Sequence, residues 1–183
     1  LIFALNPHAA RALASQFEAR QVAKSYLAVV RGFPARQKFT VDHPLKEELD
    51  AIADRQAQKN KPAQEAVTDF ETLATVELPV RVDKYPSTRY ALVRAIPHTG
   101  RKHQIRRHLR HAGHPIAGDV THGSGAHNRF FKDHLNSRRL LLACTGLRFH
   151  HPADGSYVRT KAPLEPDFRQ ILERFGWSRH AEV

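Results

Sequence analysis

A glycine turn that feeds straight into a dense run of cations, Thr99-Gly100-Arg101-Lys102-His103-Gln104-Ile105-Arg106-Arg107-His108-Leu109-Arg110-His111, holds the residues of this chain best suited to chemistry on an anion. Ile105, Leu109 and Ala112 recur at helical spacing, which predicts a helix over residues 103–112 that Gly113 ends. Backbone amides at the start of such a helix and guanidinium groups along it together make a phosphate site. Charge alone fits a solvated face equally well. The Thr-Gly turn, the polar Gln104 beside apolar Ile105, and an arginine next to the packing face favour a functional role, because an arginine held near a core faces a carboxylate or a phosphate.

Thirteen histidines raise the question of a metal, with His103, His108, His111 and His114 close in sequence. His108 and His111 could share a helix side, but no cysteine or carboxylate completes a closed set at the usual ligand spacings, so no metal is expected. Two histidines could instead perform general acid-base work in an RNA nuclease. Asp119 follows a glycine in a turn-rich stretch, where bonding to local amides is the ordinary role of an aspartate.

The balance of 29 lysines and arginines against 18 acidic residues gives a formal charge of +11, which points to a large anionic partner. No run reaches the ~18 apolar residues that a membrane span needs, and no secretory signal is visible. The lone cysteine, Cys144, lies in an apolar run as a small core residue. A soluble protein of a reducing, cytoplasmic compartment is expected, most simply a monomer. The chain opens on the apolar Leu1-Ile2-Phe3-Ala4-Leu5 without a methionine, which reads as a strand and as a cut N-terminus.

The elements that must position the cationic helix follow from periodicity. Asn6-Pro7 starts a helix whose apolar face is Ala10, Leu13, Ala14 and Phe17. Residues 25–31 form a strand buried on both faces. Residues 46–64 are a charged surface excursion, with an exposed turn at 59–62. Half-buried strands at 67–73 and 90–96 pair across the loop between them. Residues 123–134 read as a polar loop, and further strands are expected at 139–144, 147–150 and 157–160. A last helix beginning at Glu165-Pro166 carries the stripe Phe168, Ile171, Leu172 and Phe175. The order fits one α+β domain over residues 1–183, with helices flanking a mixed, mostly antiparallel sheet that lacks its N-terminal strands.

Residues 101–109 followed by Gly113-His114-Pro115-Ile116-Ala117-Gly118-Asp119 resemble the signature of the RluA family of RNA pseudouridine synthases, and Lys24-Ser25-Tyr26-Leu27-Ala28-Val29-Val30-Arg31-Gly32 is similar to its tyrosine motif. Three further stretches, Pro44 to Asp50, Tyr85 to Tyr90 and Phe175-Gly176-Trp177, resemble a branch of the family that modifies tRNA. The resemblance implies the pseudouridine synthase catalytic fold and the isomerisation of a uridine in tRNA by base flipping, glycosidic bond cleavage and carbon-carbon reattachment, with no cofactor. It implies catalytic roles for Arg106, which would pair with the catalytic aspartate, and for Tyr26, which would stack beside the flipped uracil and whose hydroxyl would assist a proton transfer when the base reattaches through carbon. Arg101, Lys102, His103, Gln104, Arg107 and Arg110 would contact RNA. The family's aspartate, in a His-Arg-Leu-Asp segment, has no counterpart in residues 1–183, so these residues alone are expected to be inactive. The alternative is a non-catalytic RNA-binding module that uses the same basic face.

Overall fold

The computed structural model describes residues 2–48 and 61–181. Six strands form one antiparallel sheet: β1 (Ala23–Arg31), β2 (Lys38–Asp42), β3 (Val67–Leu78), β4 (Thr88–Pro97), β5 (Leu142–His150) and β6 (Tyr157–Lys161), in the order β2-β3-β4-β1-β5-β6. The four α-helices are α1 (Pro7–Glu18), α2 (Gln104–His111), α3 (Gly125–His134) and α4 (Pro166–Arg174), followed by a short 3-10 turn at Ser178–His180.

The most apolar strand occupies the interior of the sheet. Leu27, Ala28, Val29 and Val30 are at most 3% exposed, and β1 pairs with β4 on one side and β5 on the other. Alternation along β1 divides the core. Leu27 and Val29 join Tyr90, Leu92, α3 and α4 on one face of the sheet, whereas Ala28 and Val30 join Ala91, Val93, Ile105 and Leu109 on the other. Helix α2 packs against the second face, and α1 packs through Leu13 on a separate cluster with Val22 and Phe149.

The expected hairpin of β3 and β4 forms, with Phe70 opposite Ala95. The stripe of α4 is buried as its spacing implied, with Phe168, Ile171 and Leu172 fully enclosed. Asn6 caps α1 by accepting the Ala9 amide at 2.8 Å, yet Phe17 is exposed and Leu13 alone of the expected face is buried. Three expectations are corrected. Residues 2–4 adopt no strand and Phe3 and Leu5 are exposed, since among the described residues no ladder reaches them. Residues 125–134 form a helix instead of a loop: His127, Phe130 and Phe131 share one buried face that their polar neighbours hid. The two short strands at 139–144 and 147–150 are one strand, β5, because the pairing with β1 passes over the extra residue Thr145 and resumes at Gly146 opposite Ser25. Strand β2 was not expected. Of the surface excursion, residues 49–60, which include the first half of the turn at 59–62, lie outside the described residues.

Candidate active site

Tyr26 and α2 meet the same face of the sheet. Tyr26 shares the alternation of Ala28 and Val30 and packs against the cluster that contains Ile105, Leu109 and Ala112. It stands opposite Ala95 on β4 and Cys144 on β5, beside the point where β5 carries one extra residue, Thr145, in its pairing with β1. Burial, aided by the nearby Cys144 thiol, pushes the phenol up to about 12, so Tyr26 keeps its proton at neutral pH.

Helix α2 carries two sets of side chains with different duties. Ile105 and Leu109 are apolar anchors, while Gln104 and His108 form a buried polar row beside them. Gln104 accepts from the Thr99 hydroxyl and the Arg101 amide and donates to the Val67 carbonyl and the Thr68 hydroxyl. Every polar position of its amide is occupied. This residue is an internal strut that ties the helix start to β3 and is not placed to touch RNA. His108 continues the row, with Nδ1 3.0 Å from the Thr68 hydroxyl and Nε2 3.1 Å from the His43 carbonyl. Burial is the main cause that holds its imidazole below the usual value, and so neutral.

Arg106 projects from the next position and forms a two-pronged pair with Asp119, Nε to Oδ2 and Nη2 to Oδ1, both at 2.7 Å. The guanidinium is 14% exposed and the carboxylate 0%. Asp119 Oδ1 also accepts the amides of Thr121 and His122. Burial pushes this carboxyl up, but the Arg106 bonds, the two amides and the Arg106 charge outweigh it and leave the group below its ordinary value. Asp119 thus has the turn-forming role expected for it. The partner of Arg106 among the described residues is this aspartate, whose two contacts leave Nη1 on the outer edge of the fork for another acceptor.

The remaining cations divide by exposure. Lys102 and Arg110 are exposed, and Arg101 is half-buried with its Nε bonded to the Glu65 carbonyl. Arg107 is turned inward: Nη1 donates to the Lys46 carbonyl at 2.8 Å and Nε faces Glu48 at 3.4 Å. It anchors the segment after β2 more than it offers itself to a phosphate. His103, at the N-cap of α2, takes the left-handed conformation with φ of 55° and turns its ring toward Glu48 and His122.

One surface gave no sequence signal because its residues come from four separate segments. On the face opposite α2, a cleft of about 510 Å³ runs beneath Leu27 and gathers Lys24, Arg148, Arg159, Lys161 and Arg179. The β1-β5-β6 ladder brings Lys24, Arg148, Arg159 and Lys161 together, and the 3-10 turn after α4 adds Arg179.

Residues 1–111 match the family described as RNA pseudouridylate synthase. The tRNA pseudouridine synthase C of Vibrio cholerae is 45% identical over 177 residues, which are 97% of this chain and 72% of the relative. The protein of the same name from Pasteurella multocida is 48% identical over the same shares. Among solved structures, Human RNA Pseudouridylate Synthase Domain Containing 1 superposes with a TM-score of 0.64 at 27% identity, over 87% of this chain and 62% of that one. Human RNA Pseudouridylate Synthase Domain Containing 4, at 24% identity and a TM-score of 0.67, shares the fold. A buried arginine fork on a short helix and a protonated tyrosine on the sheet face below it thus sit in a chain that belongs to the RNA pseudouridylate synthase family.

Proposed function

We propose that this chain supplies the uracil-binding and RNA-binding parts of an enzyme that converts a specific uridine of tRNA to pseudouridine. The observation that carries the reading is the common sheet face: Tyr26 packs in the same cluster as the α2 anchors Ile105 and Leu109, one residue either side of which stand Arg106 and the buried polar row. The relatives named for tRNA and the charge of +11 agree with a polyanionic substrate.

In the proposed reaction an aspartate from a segment N-terminal to Leu1 acts at the ribose of a flipped uridine. The bond between C1′ and N1 breaks, the uracil rotates and C1′ bonds to C5; C5 then gives its proton to a base and N1 takes one up, so the product is an isomer of the starting nucleoside. Arg106 holds that aspartate ionised through the free edge of its fork, which a guanidinium does without risk of deprotonation. Tyr26 stacks on the base, and its hydroxyl, protonated before the reaction begins, assists the proton transfer as the base reattaches through carbon. Arg101, Lys102 and Arg110 bind backbone phosphates. The cleft with Lys24, Arg148 and Lys161 offers tRNA a second basic surface.

Mass spectrometry of tRNA incubated with the protein that carries the aspartate segment tests this. One uridine per tRNA converted without change of chain length is expected, with none converted by residues 1–183 alone. Binding without conversion by the longer protein would favour the RNA-binding module, and shortened RNA would favour a nuclease.

A further inference from the structure

We propose that Glu48, His103 and His122 form a divalent-cation site of the zinc class beside the Arg106-Asp119 pair. Three ligand atoms converge: His103 Nδ1 lies 3.1 Å from Glu48 Oε2 and 3.3 Å from His122 Nε2, and His122 Nε2 lies 3.6 Å from the same carboxylate oxygen. A tetrahedral zinc with ligand distances of roughly 2.0–2.1 Å separates its ligand atoms by roughly 3.3 Å, which is the size of this triangle. Two imidazoles and a carboxylate are a donor set that zinc accepts, with the fourth position left to solvent or another oxygen donor.

The three residues come from different parts of the chain, which is why their spacing in sequence pointed to no metal. Glu48 follows β2, His103 is the N-cap of α2 and His122 closes the turn that Asp119 organises. Each is held in place. The side chain of His122 is 7% exposed. His103 adopts a left-handed backbone that a non-glycine residue takes only when its surroundings enforce it. Arg107 Nε faces Oε1 of Glu48 at 3.4 Å and leaves Oε2 to the two imidazoles. Such outer partners orient first ligands in metal sites. Of the cations close by, Arg106 is paired with Asp119, and the charge of Arg107 is met by Glu48 itself. Without a cation, three nitrogen and oxygen atoms crowd around a position that one proton serves poorly. A divalent ion satisfies all three at once and ties the segment after β2 to the start of α2.

The site stands independently of uridine chemistry and is tested without it. Untagged, chelator-stripped protein is titrated with zinc by calorimetry and with cobalt(II) by visible absorption, and its thermal unfolding is followed with and without zinc. One equivalent of tightly bound metal, the visible bands of tetrahedral cobalt, and a raised unfolding temperature are expected. All three should be lost in His122→Ala and in the milder Glu48→Gln, and kept in His111→Ala, whose exposed ring stacks on His43 outside the triangle. Metal binding by Glu48→Gln and His122→Ala equal to that of the parent protein, or no stoichiometric binding by the parent protein, would overturn the proposal.

Discussion

Asp119→Asn separates the two jobs of the Asp119 carboxylate. Oδ1 accepts from the Thr121 and His122 amides as well as from Arg106 Nη2, whereas Oδ2 accepts from Arg106 Nε alone. An asparagine oxygen in the Oδ1 position keeps the turn. Its NH2 group then opposes the Arg106 Nε–H, donor against donor, and the buried guanidinium loses its counter-charge. Breaking a buried ion pair by removing one partner costs about 3–5 kcal/mol. The turn bonds that asparagine retains and the 14% exposure of Arg106 place the expected loss near the lower end, about 3 kcal/mol. For a chain of this size each kcal/mol moves the unfolding midpoint by about 2–4 °C, so a fall of about 6–12 °C is expected. Urea unfolding of the parent, Asp119→Asn, Arg106→Met and the double variant completes a cycle. The double variant should cost less than the sum of the singles by about 2–3 kcal/mol, because either single change already destroys the pair. A loss under about 0.5 kcal/mol for Asp119→Asn, or additive singles, would refute the claim that this pair fixes Arg106.

Gly118 has φ of +77° and a Cβ there would lie 1.8 Å from the Arg139 carbonyl oxygen, so Gly118→Ala should destabilise by more than the ~1 kcal/mol of a simple glycine effect, as measured by urea unfolding. His108 and His127 are buried imidazoles held below their usual value chiefly by desolvation. Below pH ~6.5 the unfolded chain therefore binds protons that the folded chain refuses, and stability should fall with decreasing pH by up to ~1.4 kcal/mol per unit for each group, a slope that His108→Gln should reduce. In a salt titration of tRNA binding, Arg110→Ala should lower the slope of log K against log salt by roughly 0.9, and Gln104→Leu should leave that slope unchanged while it destabilises the fold.

The fold was legible in the sequence where one period dominates a segment. The β1 run, the α4 stripe and the Ile105-Leu109 repeat each name their element because a single buried face sets the pattern. Helix α3 was hidden because Phe130 and Phe131 sit among histidine, asparagine, arginine and lysine, and only packing against Tyr90 and Phe175 gives them a core. The site was legible in the same unequal way. Arg106 and Tyr26 stand in motifs, and the structure adds what spacing cannot: that Gln104 faces inward to four partners, that Arg107 holds a carbonyl of the segment after β2, and that a glutamate 55 residues upstream reaches His103. Long-range encounters of this kind leave no periodic trace.

The central claim is that Arg106 serves the chemical step more than it serves tRNA affinity. Single-turnover formation of pseudouridine at saturating tRNA, measured beside the tRNA dissociation constant for Arg106→Ala in the protein that carries the aspartate segment, tests it directly. Conversion abolished with affinity changed by less than about tenfold, or ~1.4 kcal/mol, is the expected result. Conversion near the parent rate once tRNA is saturating, with the defect confined to binding, would contradict it.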